Sequence, residues 1–322
     1  MELVKQLLVQ HGFDHHGFAQ LKEPLSLDFY KTWLDKNYHA DMKYLRDHLE
    51  QKTSPEKLLP RAKTAIVVSH PYGGGGAAFS LNASKVAGYA RDVDYHLWLK
   101  AQMRDLCDDL KKHYPVHEFL PFTDSAPVME RDLAHRAGLG WFGKNTCLLD
   151  RKKGSLFLLA EIYTTLDLST PAALPTDHCG TCTRCIDACP TGAIEQGKSL
   201  NANKCISYWT IEARGIPPED LREKFDGWLF GCDVCQTVCP WNIKAYNLPE
   251  EQLDKVEMTQ EILEILRSSN KELGRRFAST PLSRAGGRGL KRNALIVIAN
   301  LKLSEAKPEV ELLKNDENLG EL

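Results

Sequence analysis

The stretch HCGTCTRCIDACPTGAI, residues 178–194, places four cysteines at Cys179, Cys182, Cys185 and Cys189, with a proline directly after the last. The spacing Cys-x-x-Cys-x-x-Cys-x-x-x-Cys-Pro is that of bacterial ferredoxins. In those proteins three close thiolates bind one [4Fe–4S] cluster and the fourth cysteine reaches a second cluster. The sequence therefore predicts an iron–sulfur protein with a ferredoxin-like centre.

A second run, GCDVCQTVCPWN at residues 231–242, contains only three cysteines, so its cluster needs one more sulfur ligand. Cys205 is the one cysteine near enough in sequence to supply it. Zinc is the alternative metal, but zinc sites do not require a trailing Cys-Pro. We predict one cluster on Cys179, Cys182, Cys185 and Cys239, and a second on Cys189, Cys205, Cys232 and Cys235.

Length and composition are those of a multidomain globular protein. The chain has 322 residues, is 43% hydrophobic and 26% charged, and has a formal net charge of −2. Its first residues, MELVKQLLVQHGFDHHGF, lack the long apolar core of a signal peptide or membrane span, so we expect a cytoplasmic protein with no membrane association. Reduced thiolates that hold metal are then expected rather than disulfides, and Cys107 and Cys147 are expected to be small core residues.

The chain divides by pattern into three predicted parts. Residues 1–168 alternate helical and strand-like segments, residues 169–245 contain the clustered cysteines, and residues 246–322 are helical. In the first part, TAIVVSHPY and SLFLLAEIYT are predicted strands. The segments MELVKQLLVQHG, DFYKTWLDKNYHADMKYLRDHL and DYHLWLKAQMRDLCDDLKKHY are predicted helices. The stretch STPAALPTD, residues 169–177, is a predicted linker.

Five segments taken together resemble the epoxyqueuosine reductase family. They are GYARDVDYH (88–96), FTDSAPVMERDLAHRAGLGWFGKNT (122–146), the run from 179 to 194, CISYWTIE (205–212) and the run from 231 to 242. A generic ferredoxin would share only the cysteine runs.

The resemblance implies an activity and three domains. It implies a cobalamin-binding α/β domain at 1–168, a ferredoxin-like domain with two [4Fe–4S] clusters at 169–245, and a HEAT-like helical region at 246–322 that contacts tRNA. The implied reaction reduces epoxyqueuosine to queuosine at the wobble position of tRNA. The implied partners are a tRNA carrying epoxyqueuosine and an external low-potential electron donor, and we expect a monomer. The C-terminus looks shorter than in longer family members.

Asp124, in FTDSAP, matches the proton donor of the family. For that role we expect burial to raise the pKa of its carboxyl group. The alternative is that Asp124 caps a helix that begins near Pro127.

Other residues are assigned by the same resemblance. Asp94, Tyr95, His96 and Arg131 are expected at the substrate, with a helix cap as the alternative for Asp94 and a surface salt bridge for Arg131. The residues expected at the cofactor are Lys144, Asn145, Thr146, Leu148, Ser207 and Tyr208. No DxHxxG motif is present, so no histidine ligand to cobalt is predicted.

A basic stretch suggests where tRNA binds. Between residues 271 and 292 the basic side chains are Lys271, Arg275, Arg276, Arg284, Arg288, Lys291 and Arg292, against the single acid Glu272. Such a patch suits phosphate contacts, and Arg284, Arg288 and Arg292 are the predicted contacts. A solvated helix face is the alternative.

Two other functions remain open from the sequence. One is a cobalamin enzyme similar to reductive dehalogenases that acts on a small molecule, which the lack of a twin-arginine export signal disfavours. The other is a noncatalytic iron–sulfur electron carrier, which the 88–96 segment and Asp124 disfavour.

Overall fold

The computed structural model describes residues 1–72, 81, 83–168, 173–246 and 254–314. The first four positions of the predicted linker, 169–172, lie outside this part of the chain. The strands are β1 (His15–Gln20), β2 (Thr64–Pro71), β3 (Lys85–Val86), β4 (Phe119–Phe122), β5 (Trp141–Phe142), β6 (Leu148–Leu149), β7 (Phe157–Thr164), β8 (Ile194–Glu195), β9 (Ser199–Leu200) and β10 (Trp228–Phe230).

Helices surround and follow these strands. The α-helices of the first half are α1 (Glu2–Gln10), α2 (Leu27–Asp35), α3 (Tyr44–Asp47), α4 (Leu49–Thr53), α5 (Tyr95–His113) and α6 (Glu130–Arg136). Those of the second half are α7 (Arg184–Asp187), α8 (Glu219–Arg222), α9 (Val234–Thr237), α10 (Pro240–Ala245), α11 (Lys255–Arg267), α12 (Asn270–Arg276), α13 (Gly286–Leu301) and α14 (Lys307–Leu313).

A four-stranded sheet in the order β1-β2-β7-β4 forms the centre of the first half. Its strands β2 and β7 are the two strands predicted from sequence, and Ile66 lies opposite Ile162 across them. One face packs on α1 and α5, and the other on α6. Burial of both faces explains why these strands are almost wholly apolar.

The predicted alternation of helices and strands is confirmed, but every pairing within this sheet is antiparallel. These strands are therefore apolar because helices cover both faces of the sheet, and not because the strands pair in parallel. The predicted helices α1 and α5 are also confirmed. The predicted helix over residues 28–49 is wrong as a single element, because the backbone turns left-handed at Asn37 (φ 55°) and Ala40 (φ 50°) and divides it.

The C-terminal helices form a core that also includes residues from the first half. Ile262, Phe277 and Val297 pack in one cluster with Val86 and Ala90. Strand β3 pairs in parallel with β10, which joins the first half of the chain to the part that contains the clustered cysteines. The helical character predicted for the last part of the chain is confirmed by α11 and α13. The division into domains at 168 and 245 stays a prediction, and hydrophobic packing crosses it.

Among the described residues, no helix is long and apolar enough to cross a membrane.

An acidic side chain lies inside the sheet. Glu161, in the middle of β7, is 0% exposed, and neither of its carboxyl oxygens has a hydrogen-bond partner. Burial raises the pKa of this carboxyl group well above its usual value, and the nearby Glu130 and Asp124 raise it further. Glu161 is therefore neutral in the folded protein at neutral pH, since an unpaired buried carboxylate costs far more than the neutral acid.

This carboxyl group should make stability depend on pH. Because the pKa of Glu161 is raised in the folded state, its contribution to the free energy of unfolding is complete below the unfolded-state pKa of about 4.3. This contribution is lost as the pH rises toward the folded-state pKa. Replacing Glu161 by leucine should therefore increase the free energy of unfolding at pH 8 by about 1–3 kcal/mol, with a smaller gain at pH 5. Urea denaturation at both pH values measures this difference. The exposed Glu56→Gln variant is the control, and equal effects of Glu161→Leu at the two pH values would contradict the prediction.

Candidate active site and cysteine sets

One large cavity brings together most of the predicted substrate residues. Its volume is about 1020 Å³. Its walls come from α2, the turns before α5, the loop between β4 and α6, and the turn at residues 281–284. Of the predicted site residues it is lined by Asp94, Tyr95, His96, Asp124, Arg131, Thr146 and Arg284.

A row of three polar side chains lies on the cavity wall. His96 Nδ1 is 2.7 Å from Asp94 Oδ1, and His96 Nε2 is 3.0 Å from Asp124 Oδ2. Asp94 also caps α5, because its carboxylate accepts a hydrogen bond from the backbone N–H of His96. The cap is thus confirmed, and the same carboxylate contacts His96 on the cavity wall. A contact between Asp94 and substrate stays a prediction. The start of α5 positions the imidazole against Asp124.

Asp124 does not cap a helix. Helix α6 begins only at Glu130, and its N-cap residue is Met129, with no side-chain cap. Asp124 instead has a left-handed backbone (φ 48°), an unfavourable conformation for a residue other than glycine. Its side chain is 55% exposed, and it faces the cavity.

The expected increase in the pKa of Asp124 is wrong. Desolvation alone would raise the pKa, but hydrogen bonds from His96 and Tyr95, together with the charges of His96 and Arg284, lower it below the usual value. The pKa of His96 is correspondingly raised, first by its hydrogen bond to Asp124 and also by Asp94, against desolvation. In the folded protein these shifts favour the carboxylate form of Asp124 and the protonated form of His96.

Two arginines line other parts of the cavity. Arg131 donates a hydrogen bond to the carbonyl oxygen of Thr146. Its partner is therefore the backbone, whereas the alternative from sequence was a surface salt bridge. Arg284 forms a two-bond contact with Glu212, with Nε at 2.9 Å and Nη2 at 2.8 Å from the two carboxylate oxygens. Its charge also acts on Asp124.

Glu130 is a cavity residue that the sequence analysis missed. A glutamate at the start of a helix normally indicates a favourable interaction with the helix dipole, and no local pattern distinguishes this one. In the structure one of its carboxyl oxygens is buried without a partner. Burial first, and then the charge of Asp124, raise its pKa to about 8, although Lys52 and Arg131 oppose this.

Five predicted cofactor residues do not line the cavity. Lys144 donates to the carbonyl oxygens of Gly180 and Cys182, and Asn145 donates to that of Cys235. The other three are Leu148, which is in the core, Ser207, which hydrogen-bonds Cys205, and Tyr208, which hydrogen-bonds Asp41. Four of the five therefore lie in or beside the cysteine segments, and their role at a cofactor stays a prediction.

The basic stretch is only partly on the surface. Arg292 is 3% exposed, and its guanidinium donates to the carbonyl oxygens of Ala213 and Gly215 at 2.6 and 2.8 Å. Burial lowers the pKa of Arg292 to about 10. The prediction of a phosphate contact at Arg292 is therefore wrong, because this side chain holds the backbone after residue 212 against α13. Lys291 is buried as well, whereas Arg284 and Arg288 are exposed.

The first predicted cysteine set comes together in the fold. The pKa of the Cys185 thiol is raised to about 11 by burial and by the nearby Cys239, Cys179 and Cys182. These are the four residues of the first set. Cys239 comes from the second cysteine run, so the two runs cross as the ferredoxin spacing requires.

The second predicted set also comes together. Burial, Cys205 and Cys189 raise the pKa of the Cys232 thiol to about 12, and Cys235 interacts with Cys232 and Cys205. The described cysteines are all free thiols. Backbone N–H groups point at several of them, as at Cys189, whose sulfur accepts from Ala193 at 3.3 Å. Eight thiols in two sets with such donors fit two iron–sulfur clusters.

The two remaining cysteines differ from each other. Cys107 is buried in α5 among core side chains, as predicted. Cys147 lies between the two sets, because its thiol interacts with Cys239 and Cys185 on one side and with Cys235 on the other.

Comparison with known proteins agrees with this geometry. The family model described as a 4Fe-4S double cluster binding domain matches residues 178–242, and the model described as "Epoxyqueuosine reductase QueG, DUF1730" matches residues 52–125. The epoxyqueuosine reductase of Cyclobacterium marinum is 41% identical over 274 residues, which cover 81% of this chain and 87% of that protein.

Two solved structures have the same fold. A crystal structure of epoxyqueuosine reductase with a tRNA-Tyr epoxyqueuosine-modified stem loop gives a TM-score of 0.83 at 28% identity and covers 98% of this chain and 86% of the other. The structure from Bacillus subtilis, with a catalytic aspartate loop swung out of the active site, gives 0.80 at 28% identity with the same coverage.

The double cluster domain and these relatives define the chain as an iron–sulfur oxidoreductase. More particularly, it belongs to the epoxyqueuosine reductase family, since one relative is 41% identical over most of both chains.

The assignment of Cys205 can be tested by metal content. Anaerobically prepared protein should contain about eight iron atoms per chain, and Cys205→Ala should reduce this to about four because the second cluster loses a ligand. Iron analysis and EPR spectra of the reduced protein measure the change. The control is Cys107→Ala, which should keep both clusters. A Cys205→Ala protein with full iron content would show that another residue is the ligand.

Proposed function

We propose that this protein reduces epoxyqueuosine to queuosine at the wobble position of tRNA, with Asp124 delivering a proton to the epoxide oxygen. The observation that carries the proposal is the meeting of Asp124, His96 and Asp94 on the wall of a large cavity in a chain of this family. The relative crystallised with an epoxyqueuosine-modified stem loop supports the choice of substrate.

The reaction has a simple balance. An epoxide becomes an alkene when its oxygen leaves as water, which consumes two electrons and two protons. Iron–sulfur clusters pass electrons one at a time, at potentials that extend to about −700 mV. We assign the electrons to the two clusters on the eight cysteines, supplied by an external low-potential donor. The protein itself must supply the protons and hold the substrate.

Cobalamin is the proposed second cofactor. The cavity, at about 1020 Å³, lies at the upper end of the roughly 300–1,000 Å³ range of ligand pockets. Aromatic side chains such as the stacked Tyr30 and Trp33 line it together with hydrogen-bonding groups. These residues fit a large macrocycle with an amide fringe. When bound, cobalamin supplies the low-potential cobalt chemistry that the side chains lack.

The proton chemistry then follows from the side chains. Asp124 is ionised in the free protein and His96 is protonated, at a distance of 3.0 Å. Asp124 and His96 therefore act as a pair. When the epoxide oxygen lies against Asp124, Asp124 takes a proton from His96 and passes it to that oxygen. Asp94 fixes the orientation of the imidazole through the contact at Nδ1. This assigns roles to Asp94 and His96, which were predicted at the substrate, and to Asp124, which was predicted as the proton donor.

The exposed basic residues near the cavity are the proposed tRNA contacts. Arg284 lines the cavity itself, and Arg288 follows it at the start of α13. Arg275 and Lys271 on α12 are exposed as well. A base inserted in the cavity would bring its neighbouring phosphates toward these side chains. We further propose that the protein is cytoplasmic, where tRNA is found, and acts as a monomer.

The tRNA surface can be tested by salt dependence. Replacing Arg284 and Arg288 together by glutamine should weaken tRNA binding and reduce the slope of log affinity against log salt by about two units. The matched control is Lys111→Gln with Lys112→Gln, at the far end of α5 and about 25 Å along the helix from Tyr95. Equal slopes for the wild-type and Arg284/Arg288 proteins would exclude this surface.

The role of Asp124 can be tested by one substitution. Asp124→Asn keeps the shape of the side chain but holds no transferable proton, so turnover should fall by about 10²- to 10⁴-fold while cluster content is retained. Single-turnover conversion of epoxyqueuosine-bearing tRNA by chemically reduced, cobalamin-loaded protein, followed by nucleoside mass spectrometry, measures the rate. Asp109→Asn, at the far end of α5, is the control. Formation of queuosine at the wild-type rate by the Asp124→Asn protein would remove this residue from the mechanism.

A further inference from the structure

A second acid lines the cavity together with Asp124. Glu130 is the first residue of α6, and Asp124 lies on the loop that leads into this helix. The backbone amide of Asp124 interacts with the Glu130 carboxyl group, and the carboxyl Oε1 is buried without a partner. Glu130 thus contacts the residue that carries the proposed chemistry and still has a free hydrogen-bonding atom.

The surroundings of Glu130 favour its neutral form. The charged groups that act on Glu130 are Asp124 on the preceding loop, Arg131 on α6 and Lys52 on α4. Glu130 also interacts with Tyr95 on α5 and with Glu161 and Tyr163 on β7. Burial and the charge of Asp124 outweigh the two cations, and the pKa reaches about 8. Glu130 therefore holds a proton at neutral pH, while Asp124 does not.

The proton count of the reaction gives this proton a use. The His96–Asp124 pair holds one transferable proton in the free protein, whereas the reduction consumes two. We propose that Glu130 supplies the second proton by reprotonating Asp124 between the two proton-transfer steps. This inference rests on the proposed function, and it makes Glu130 a positioning residue that acts through Asp124.

Two proton transfers release the epoxide oxygen as water. The first proton passes from the His96–Asp124 pair to the epoxide oxygen as one carbon–oxygen bond breaks. The second passes from Glu130 through Asp124 to the same oxygen as the other carbon–oxygen bond breaks and water leaves. The two electrons from the clusters remain in the new carbon–carbon double bond. Glu130 and His96 then regain their protons from solvent.

The contact with the Asp124 amide gives Glu130 a structural effect too. Asp124 has its backbone at φ 48°, which is an unfavourable conformation for a residue other than glycine. An interaction at its amide helps hold that conformation. A test must therefore separate the proton of Glu130 from its position, and glutamine does so because its side-chain oxygen still accepts a hydrogen bond.

The first measurement follows the proton directly and needs no turnover. Infrared spectra of the cluster-loaded protein, recorded from pH 6 to pH 10, should show a protonated-carboxyl signal that disappears with a midpoint of about 8. Glu130→Gln should lack this signal. Glu161→Gln should lose a different signal and should keep the one at 8. A Glu130→Gln spectrum identical to the wild-type spectrum would overturn the assignment of the proton.

The second measurement is the pH profile of single-turnover conversion. The wild-type rate should fall as the pH rises through about 8. Glu130→Gln should be slower by about 10²-fold at pH 7 and should lose the part of this fall that Glu130 contributes, so that only the titration of His96 remains. Glu161→Gln should keep the wild-type profile. A Glu130→Gln protein with the wild-type rate and profile, beside an inactive Asp124→Asn protein, would overturn the inference and leave the proposed function intact.

Two further outcomes are decisive. If Glu130→Gln fails to fold, Glu130→Asp retains a titratable group at a changed distance, so a shifted alkaline limb supports the inference and an unchanged one overturns it. If the wild-type protein makes no queuosine, the proposed function fails, whereas the infrared titration still decides whether Glu130 holds the proton.

Discussion

The crossing of the two cysteine runs is the constraint on which the rest of this structure depends. Each predicted set of four thiols contains cysteines from both runs, with Cys239 in the first set and Cys189 in the second. Segments some forty residues apart must therefore meet with their sulfurs converging on two centres. Hydrogen bonds from the first half of the chain fasten this arrangement. Asn242, the last residue of the second run, is hydrogen-bonded to Ser155. Lys144 donates a hydrogen bond to a backbone carbonyl inside the first run.

The cysteine runs are also connected to the wall of the cavity. Asp233, between two cysteines of the second run, accepts a hydrogen bond at 2.6 Å from the backbone N–H of Gly88. Gly88 begins the segment that leads to Asp94 and His96 at the start of α5. The polar wall of the cavity and the cysteine sets are thus parts of one framework. Reactive groups need such support, because a displacement of even 1 Å at a site can cost much of its activity.

Within the cavity, opposite pKa shifts distinguish the roles of neighbouring acids. Asp124 receives hydrogen bonds from His96 and Tyr95, and its pKa falls, whereas Glu130 is buried beside that negative charge, and its pKa rises to about 8. Two carboxyl groups six residues apart in sequence therefore hold different protonation states at the same pH. Acid and base assignments in enzymes commonly rest on such divergence. Here the two pKa values diverge because the loop between β4 and α6 and the start of α6 place the two carboxyl groups beside different neighbours.

Some features of this protein were determined by its sequence alone. Cysteine spacing predicted both sets of thiols, and periodicity predicted β2, β7, α1, α5, α11 and α13, because ligand spacing and the repeat of a helix or strand are local properties. Motif resemblance identified the family. Tertiary structure alone decided that the sheet is antiparallel, that Arg292 is buried, that the pKa of Asp124 is lowered and that Glu130 is a neutral cavity acid. Each of these depends on burial or on the charge of residues distant in sequence, and no local pattern contains that information.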